Sequence, residues 1–259
     1  MSKKYHMISG MPRSGSTLFT AILNQNPRFN SEPTTLLYFM FEDMFFKINK
    51  SKHGLMIGNE KRTNILLGLF DAYYKDVPNE VCFNTNRAWA SMRHVIAALN
   101  SNMKIICFVR EVPLILNSFE KAFLKHPLYM SSMYDLDNAM HSLAADRCEH
   151  LFKNKLVPQI KIIEEIKNSQ INQDNILFIE YEHLCENPER VLQNFYEFIN
   201  EPYFQHDFNN VETNFEVLDT IDNNPELHKT EKQIRSQKPQ IVVPTEILDK
   251  YNIGKYWLK

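Results

Sequence analysis

The stretch Tyr5-His6-Met7-Ile8-Ser9-Gly10-Met11-Pro12-Arg13-Ser14-Gly15-Ser16-Thr17-Leu18-Phe19 constrains the chain more than any other. A short apolar run leads into a turn bracketed by two glycines. Behind the turn, Leu18, Phe19, Ile22 and Leu23 recur at helical spacing on one face. That order reads as strand, loop, helix. Such a loop gathers anions because its backbone N–H groups converge into the turn and the next helix presents the positive end of its dipole. Gly10 and Gly15 permit backbone angles that other residues resist, and Ser14, Ser16 and Thr17 add hydroxyls.

The spacing Gly10…Gly15 followed by Ser16-Thr17 matches the nucleotide P-loop pattern at every position but one. A Lys should follow the second glycine. Ser16 stands there instead, and a cation appears earlier, at Arg13. In an ATPase that Lys reaches the terminal phosphates, so its replacement argues against ordinary ATP or GTP hydrolysis. Arg13 offers a planar, bidentate fork in its place. A plain Gly/Ser turn would account for the glycines, but not for the agreement of loop, flanking pattern and basic residue.

The rest of the chain repeats the alternation. Apolar strands are expected near Tyr5–Ser9, Val81–Phe83, Lys104–Val109 and Ile176–Ile179. The run Lys-Ile-Ile-Cys-Phe-Val at 104–109 suits a strand buried on both faces of a parallel sheet. Helical patterns fall at 36–48, 63–74, 89–99, 135–167 and after Asn187-Pro188, with Pro158 expected to break or kink the fourth. The run 36–48, crowded with Phe, Tyr and Met, reads as a buried helix. Residues 24–30 read as the polar end of the first helix, and Glu32-Pro33-Thr34-Thr35 as a turn. The expected fold class is therefore α/β, a three-layer P-loop fold with a central parallel sheet flanked by helices. Without a repeat or low-complexity boundary, residues 1–259 read as a single domain. Ligands bind such sheets at the carboxyl ends of the strands, where the Gly10 loop, Asn84–Arg87, Arg110 and Tyr181 all lie.

Composition narrows the partners. A net charge of −2 gives no global basic field, so no nucleic acid partner is expected and the anion site must be local. No apolar run is long enough to span a membrane, and the first strand starts too early for a signal peptide. Cys82, Cys107, Cys148 and Cys185 are widely spaced, without a CxxC pair, and read as reduced thiols. A cytoplasmic location is expected.

At this point the residues resemble a known family, the sulfotransferases that use 3′-phosphoadenosine 5′-phosphosulfate (PAPS). Gly10 to Leu18 is similar to the family's 5′-phosphosulfate loop, in the Pro-Arg-Ser-Gly form found in tyrosylprotein and many bacterial sulfotransferases. Val109-Arg110-Glu111-Val112-Pro113 through Ser118-Phe119 resembles its 3′-phosphate motif, in which an Arg after a strand is followed by a Ser on the next helix. Asn86-Arg87-Ala88-Trp89 is similar to an Asn-Arg-x-Trp segment of bacterial members. Ile179 to Leu184 with Asn187-Pro188 resembles a segment whose Tyr lies near the nucleotide, here Tyr181. Thr230 to Pro239 looks more loosely like a late loop that closes over the nucleotide.

The resemblance implies PAPS as cofactor, 3′,5′-adenosine bisphosphate (PAP) as product, and no metal. It implies donor binding by Arg13, Ser14, Gly15, Ser16, Thr17, Arg110, Ser118, Tyr181, Thr230, Gln233 and Lys238. For catalysis it implies Arg13, with Glu32 as base and Arg87 as a cation on the sulfuryl group. Two departures stand out. Glu32 falls two positions before the place where relatives carry their Glu, nearer Thr34, and it reads equally well as a cap on the turn before Leu36; His94, His126 and His141 are other bases. Relatives have a Lys near Thr85, where this chain offers Arg87. Arg87 and Arg110 also have ordinary readings as ion-pair residues, Arg110 with Glu111 or Asp135. The acceptor is a hydroxyl or amine on a small molecule, carbohydrate or protein tyrosine. Two other functions stay open: a P-loop small-molecule kinase, and a nucleotide-binding protein without turnover.

Overall fold

A computed structural model of the chain describes residues 3–127, 143–169, 173–212, 233–236 and 238–258. Five strands, β1 (Lys4–Gly10), β2 (Phe29–Glu32), β3 (Val81–Thr85), β4 (Ile105–Val109) and β5 (Ile176–Glu180), form one sheet in the order β2-β3-β1-β4-β5. All pairings are parallel. Ile8 lies opposite Thr85 on one side and Ile106 on the other, and Glu32 lies opposite Asn84.

Side-chain alternation splits the core in two. Ile8, Val81, Phe83, Ile106 and Phe108 face α1 (Ser16–Leu23), α9 (Tyr181–Glu186) and α10 (Pro188–Ile199), where Phe19, Ile22, Leu192 and Phe195 cover them. Tyr5, Met7, Cys82, Ile105, Cys107 and Val109 face the opposite layer. There they meet α2 (Leu37–Lys50), α4 (Asn59–Tyr73), α5 (Arg93–Leu99), α6 (Val112–Lys125), α7 (Ala144–Leu151) and α8 (Val157–Asn168). The three-layer α/β architecture is the one expected, and the continuous apolar runs of β3 and β4 follow from cover on both faces. The one-turn α3 (Lys52–Leu55) links α2 to α4, and α11 (Thr245–Asp249) closes the described chain.

Four local expectations are corrected. Residues 29–32 form an edge strand rather than the end of a helix and a turn, because Phe29 and Ser31 are buried while Asn30 and Glu32 are only half-covered. The segment after Asn86 opens as a 3-10 turn, Arg87–Met92, before α5 begins. Pro158 does not end its helix: a π turn at Phe152–Leu156 joins α7 to α8 directly before it, and the helical backbone runs on through Val157. Residues 135–142 of that expected helix lie outside the described residues. Finally, α2 is amphipathic rather than buried, with Leu37, Tyr38, Phe41 and Ile48 inside and Leu36 at its start, Phe39, Met40 and Phe46 exposed.

Trp89 and Trp257 are buried in the core. None of the four cysteines is in a disulfide, and burial pushes the Cys107 thiol up to about 12. Among the described residues no helix is long and apolar enough to cross a membrane.

Two buried histidines carry a pH dependence. His6 accepts from the Lys104 N–H through Nδ1 (3.2 Å), and His206 Nε2 meets the Tyr196 hydroxyl (2.9 Å). Burial first, and neighbouring Lys4 and Lys104 second, lower His6 from 6.5 to about 3; burial lowers His206 from 6.5 to about 4. Both are neutral in the folded chain, whereas the unfolded chain binds protons below about pH 6.5. Stability is therefore fully present above pH 6.5 and falls as pH drops toward 4. Thermal melts at pH 7 and pH 5 check this. The drop in Tm should shrink in the double variant His6→Asn, His206→Gln, whose amides keep the Nδ1- and Nε2-side hydrogen bonds without titrating.

Candidate active site

The Gly10 loop runs from the end of β1 to the start of α1 through three left-handed residues: Gly10 (φ 110°), Arg13 (φ 56°) and Gly15 (φ 96°). A Cβ at Gly10 would overlap the Phe108 carbonyl, and one at Gly15 would lie 2.6 Å from Cδ2 of Tyr181. Both glycines are thus required by conformation and by close approach. The first helical bond is Phe19 N–H to the Gly15 carbonyl (2.9 Å), which leaves the N–H groups of Ser16, Thr17 and Leu18 without a helical acceptor. Ser14 is fully buried and its hydroxyl donates to the Met11 carbonyl. Its hydroxyl is therefore spent inside the loop, a correction to its reading as a ligand donor, and only its backbone N–H can serve an anion.

Arg13 is the non-glycine among these three left-handed residues, and its strained backbone is held from outside. Arg110, at the end of β4, donates from Nη1 to the Arg13 carbonyl (3.0 Å) and from Nε to Glu182 Oε1 (2.8 Å). Its guanidinium lies 4.1 Å from the ring centre of Tyr181, and Tyr256 donates to its carbonyl (3.3 Å). Arg110 does pair with a carboxylate, but with Glu182 rather than Glu111. Arg13 in turn donates from Nε to Ser118 Oγ (3.2 Å) on α6. Arg13, Gly15, Arg110, Ser118 and Tyr181, separated by more than 160 residues of sequence, thus meet at one point. Burial pushes the Tyr181 phenol up to about 12, so it stays protonated at neutral pH.

Other expected residues stand apart. Glu32, at the end of β2, is two strands from the loop strand, about 10 Å across the sheet. It accepts from Asn30 Nδ2 (3.2 Å) and the Tyr73 hydroxyl (3.3 Å), so it does not cap the turn before Leu36. Burial and then the Glu32 charge raise the Tyr73 phenol. Arg87 opens the 3-10 turn after β3 with an exposed side chain, and its carbonyl accepts from Ser9 Oγ (2.6 Å). His94 is exposed on α5 and His126 ends α6; His141 lies outside the described residues. Gln233 donates to Asn209 (2.9 Å), beside Asp207, which pairs with Gln25 beyond the carboxyl end of α1; it is not brought to the loop. Lys238 is exposed, and Thr230 lies outside the described residues.

One residue went unread in the sequence. Asn117, 2% exposed, donates to the Gln240 carbonyl (2.9 Å) and accepts from the Val242 N–H (2.8 Å). It pins residues 240–242 beside Ser118, two residues from Lys238. An Asn among Val112, Ile115, Leu116 and Phe119 on a buried helix was the available signal.

Fold and loop together define an α/β protein with an anion cradle at the carboxyl edge of its parallel sheet. A profile described as "Sulfotransferase family" matches residues 7–205, and the chain belongs to that family. Sulfotransfer is thereby its general activity, and the chain is a transferase. Similar solved structures include the sulfotransferase domain from the curacin biosynthetic pathway, with TM-score 0.54 and 17% identity over 96% of this chain and 97% of that one. The sulfotransferase domain of the Synechococcus PCC 7002 olefin synthase gives 0.52 and 17% over 96% and 95%. At these identities the likeness is one of fold. A search of curated protein sequences finds no match.

The Arg110 bonds make a stability prediction distinct from a pure ligand role. Arg110→Lys removes a two-pronged contact to Glu182 and the Arg13 carbonyl together with the stacking on Tyr181. It should cost about 1–2 kcal/mol in urea unfolding of the ligand-free protein. An unchanged midpoint would show that Arg110 acts on ligand alone.

Proposed function

We propose that the chain transfers a sulfuryl group from PAPS to an acceptor hydroxyl or amine. The observation that carries the reading is the Arg13–Ser118 hydrogen bond, 3.2 Å. It couples the loop suited to a 5′-phosphate to the strand-end Arg110 and helix α6 suited to a 3′-phosphate. The residues fit such a donor: Gly10 and Gly15 let the loop turn left-handed while packed against Phe108 and Tyr181, and the N–H groups of Ser16, Thr17 and Leu18, which have no helical acceptor, suit an anion.

The donor supplies the sulfuryl group: its sulfur–oxygen bond to the 5′-phosphate breaks, leaving the electron pair on that oxygen, as a bond to the acceptor oxygen or nitrogen forms. The backbone of Ser14–Thr17 and the Arg13 fork stabilise the charge left on the phosphate side. Arg110 and Ser118 hold the 3′-phosphate, with Tyr181 as the wall that supports both Gly15 and the Arg110 guanidinium. Glu32 takes the acceptor proton, its carboxylate oriented by Tyr73 and Asn30. Arg87 supplies a cation at the end of β3, and Lys238 approaches the nucleotide along the segment anchored by Asn117. A kinase reading fares worse, because Ser16 replaces the lysine that reaches the terminal phosphates.

PAP without metal should raise the melting temperature. Saturation at a hundredfold its dissociation constant corresponds to about 2.7 kcal/mol. Stabilisation by Mg-ATP and none by PAP would overturn the proposal. With radiolabelled PAPS and a mixed acceptor panel, Arg13→Ala should lower transfer by about two to three orders of magnitude. Glu32→Gln should lower it while leaving PAP affinity unchanged; equal transfer in Glu32→Gln and wild type would remove Glu32 as base.

A further inference from the structure

Two threonine hydroxyls among the described residues are buried without a hydrogen-bond partner, Thr35 (6% exposed) and Thr85 (7%). Thr85 is the last residue of β3, and Thr35 lies three residues past the end of its neighbour β2, both at the carboxyl edge of the sheet. Buried polar groups are ordinarily paired, and an orphan hydroxyl is a cost the fold would shed by a Thr to Val exchange.

The surroundings of Thr85 say what it serves. Its strand alternates, so Thr85 shares a face with Phe83, the face covered by α1. Higher on that face, Ser31 Oγ of β2 bonds Thr20 Oγ1 of α1 (3.2 Å), and Ser31 lies opposite Phe83. Two residues on from Phe83, about 6.6 Å along the strand, is Thr85. One helical turn back from Thr20, about 5.4 Å, is the Ser16–Thr17 start of α1. The two steps run in the same direction, because α1 returns against the strands. The Thr85 hydroxyl is therefore on the α1 side of the sheet and level with the first turn of that helix, where N–H groups without a helical acceptor gather. Laterally, β3 lies between β1, which carries the loop, and β2, which carries Glu32. A group moving from a phosphate in the loop toward an acceptor at Glu32 must cross above the end of β3.

We infer that the Thr85 hydroxyl is a binding group for the transferable sulfuryl moiety, donating a hydrogen bond to one of its oxygens. The inference rests on the proposed function, since it takes Glu32 and the loop as the two ends of the transfer. It assigns the sulfuryl contact on β3 to an uncharged donor, separate from the exposed Arg87 two residues on.

The test compares two ligands that differ only in the sulfuryl group. Calorimetric affinities for PAPS and PAP are measured in wild type, Thr85→Val and Thr85→Ser, with melting temperatures of the ligand-free proteins as control. Thr85→Val should weaken PAPS about tenfold or more and leave PAP unchanged, because only PAPS loses a charge-assisted hydrogen bond. Its ligand-free melting temperature should be equal or higher, and Thr85→Ser should bind both ligands as wild type does. A Thr85→Val protein that keeps the wild-type ratio of PAPS to PAP affinity overturns the inference while the proposed function stands. If wild type binds neither ligand, the proposed function falls and takes this inference with it.

Discussion

The site depends on one side chain spanning three elements. Arg110 leaves the end of β4, lies on the ring of Tyr181, is paired by Glu182 at the start of α9, and donates to the carbonyl of Arg13. Arg13 adopts a left-handed backbone with a side chain that disfavours it. A lysine could neutralise Glu182 but could not also hold a carbonyl and stack on a ring, so the fork geometry of arginine is what joins these demands. Because Arg110 is buried and bonded, the loop is preorganised by the protein before any ligand contributes. That is the condition under which backbone donors stabilise developing charge without first having to rearrange.

The same economy appears in Tyr181. Its ring fills the space a Cβ at Gly15 would need, and the Arg110 guanidinium lies over its face. Glycine at 15, tyrosine at 181 and arginine at 110 are one packing decision, although the sequence spreads them over three strand–helix units. Ser14 belongs to the same unit: its hydroxyl is turned inward to Met11 to close the loop, which leaves its N–H for the anion.

Much of this was legible because the informative residues are apolar runs ending in polar ones. The runs at 5–9, 81–83 and 105–109 are buried on both faces, so they are continuous, the run at 176–179 is half-covered at the sheet edge, and the polar residues that end them fall at the carboxyl edge. The loop was readable from its two glycines and Arg13. What was not readable was how polar groups are shared. Nothing in a one-dimensional pattern says that the Ser14 hydroxyl turns inward, that Arg110 chooses Glu182 over Glu111, or that Asn117 holds residues 240–242. These depend on contacts between 3 and 125 positions apart. Gln233 failed for a related reason: a loose motif match fixed its place in the chain, but its amide is taken up by Asn209 at the other end of α1.

The strand that was missed shows why function and legibility can conflict. β2 is short and lies at the sheet edge, so only Phe29 and Ser31 are driven inward, and neither alternation nor apolar content marks it. Its other two residues, Asn30 and Glu32, turn toward Tyr73 and form the hydrogen-bonded carboxylate proposed as base. A more typical strand sequence would bury those two positions with apolar side chains, and the carboxylate would be lost. The polarity that hides β2 from a pattern search is therefore the polarity that places this carboxylate at the strand end. An analogous tension marks Thr85, where a valine would suit the strand and the core better than a buried hydroxyl without a partner.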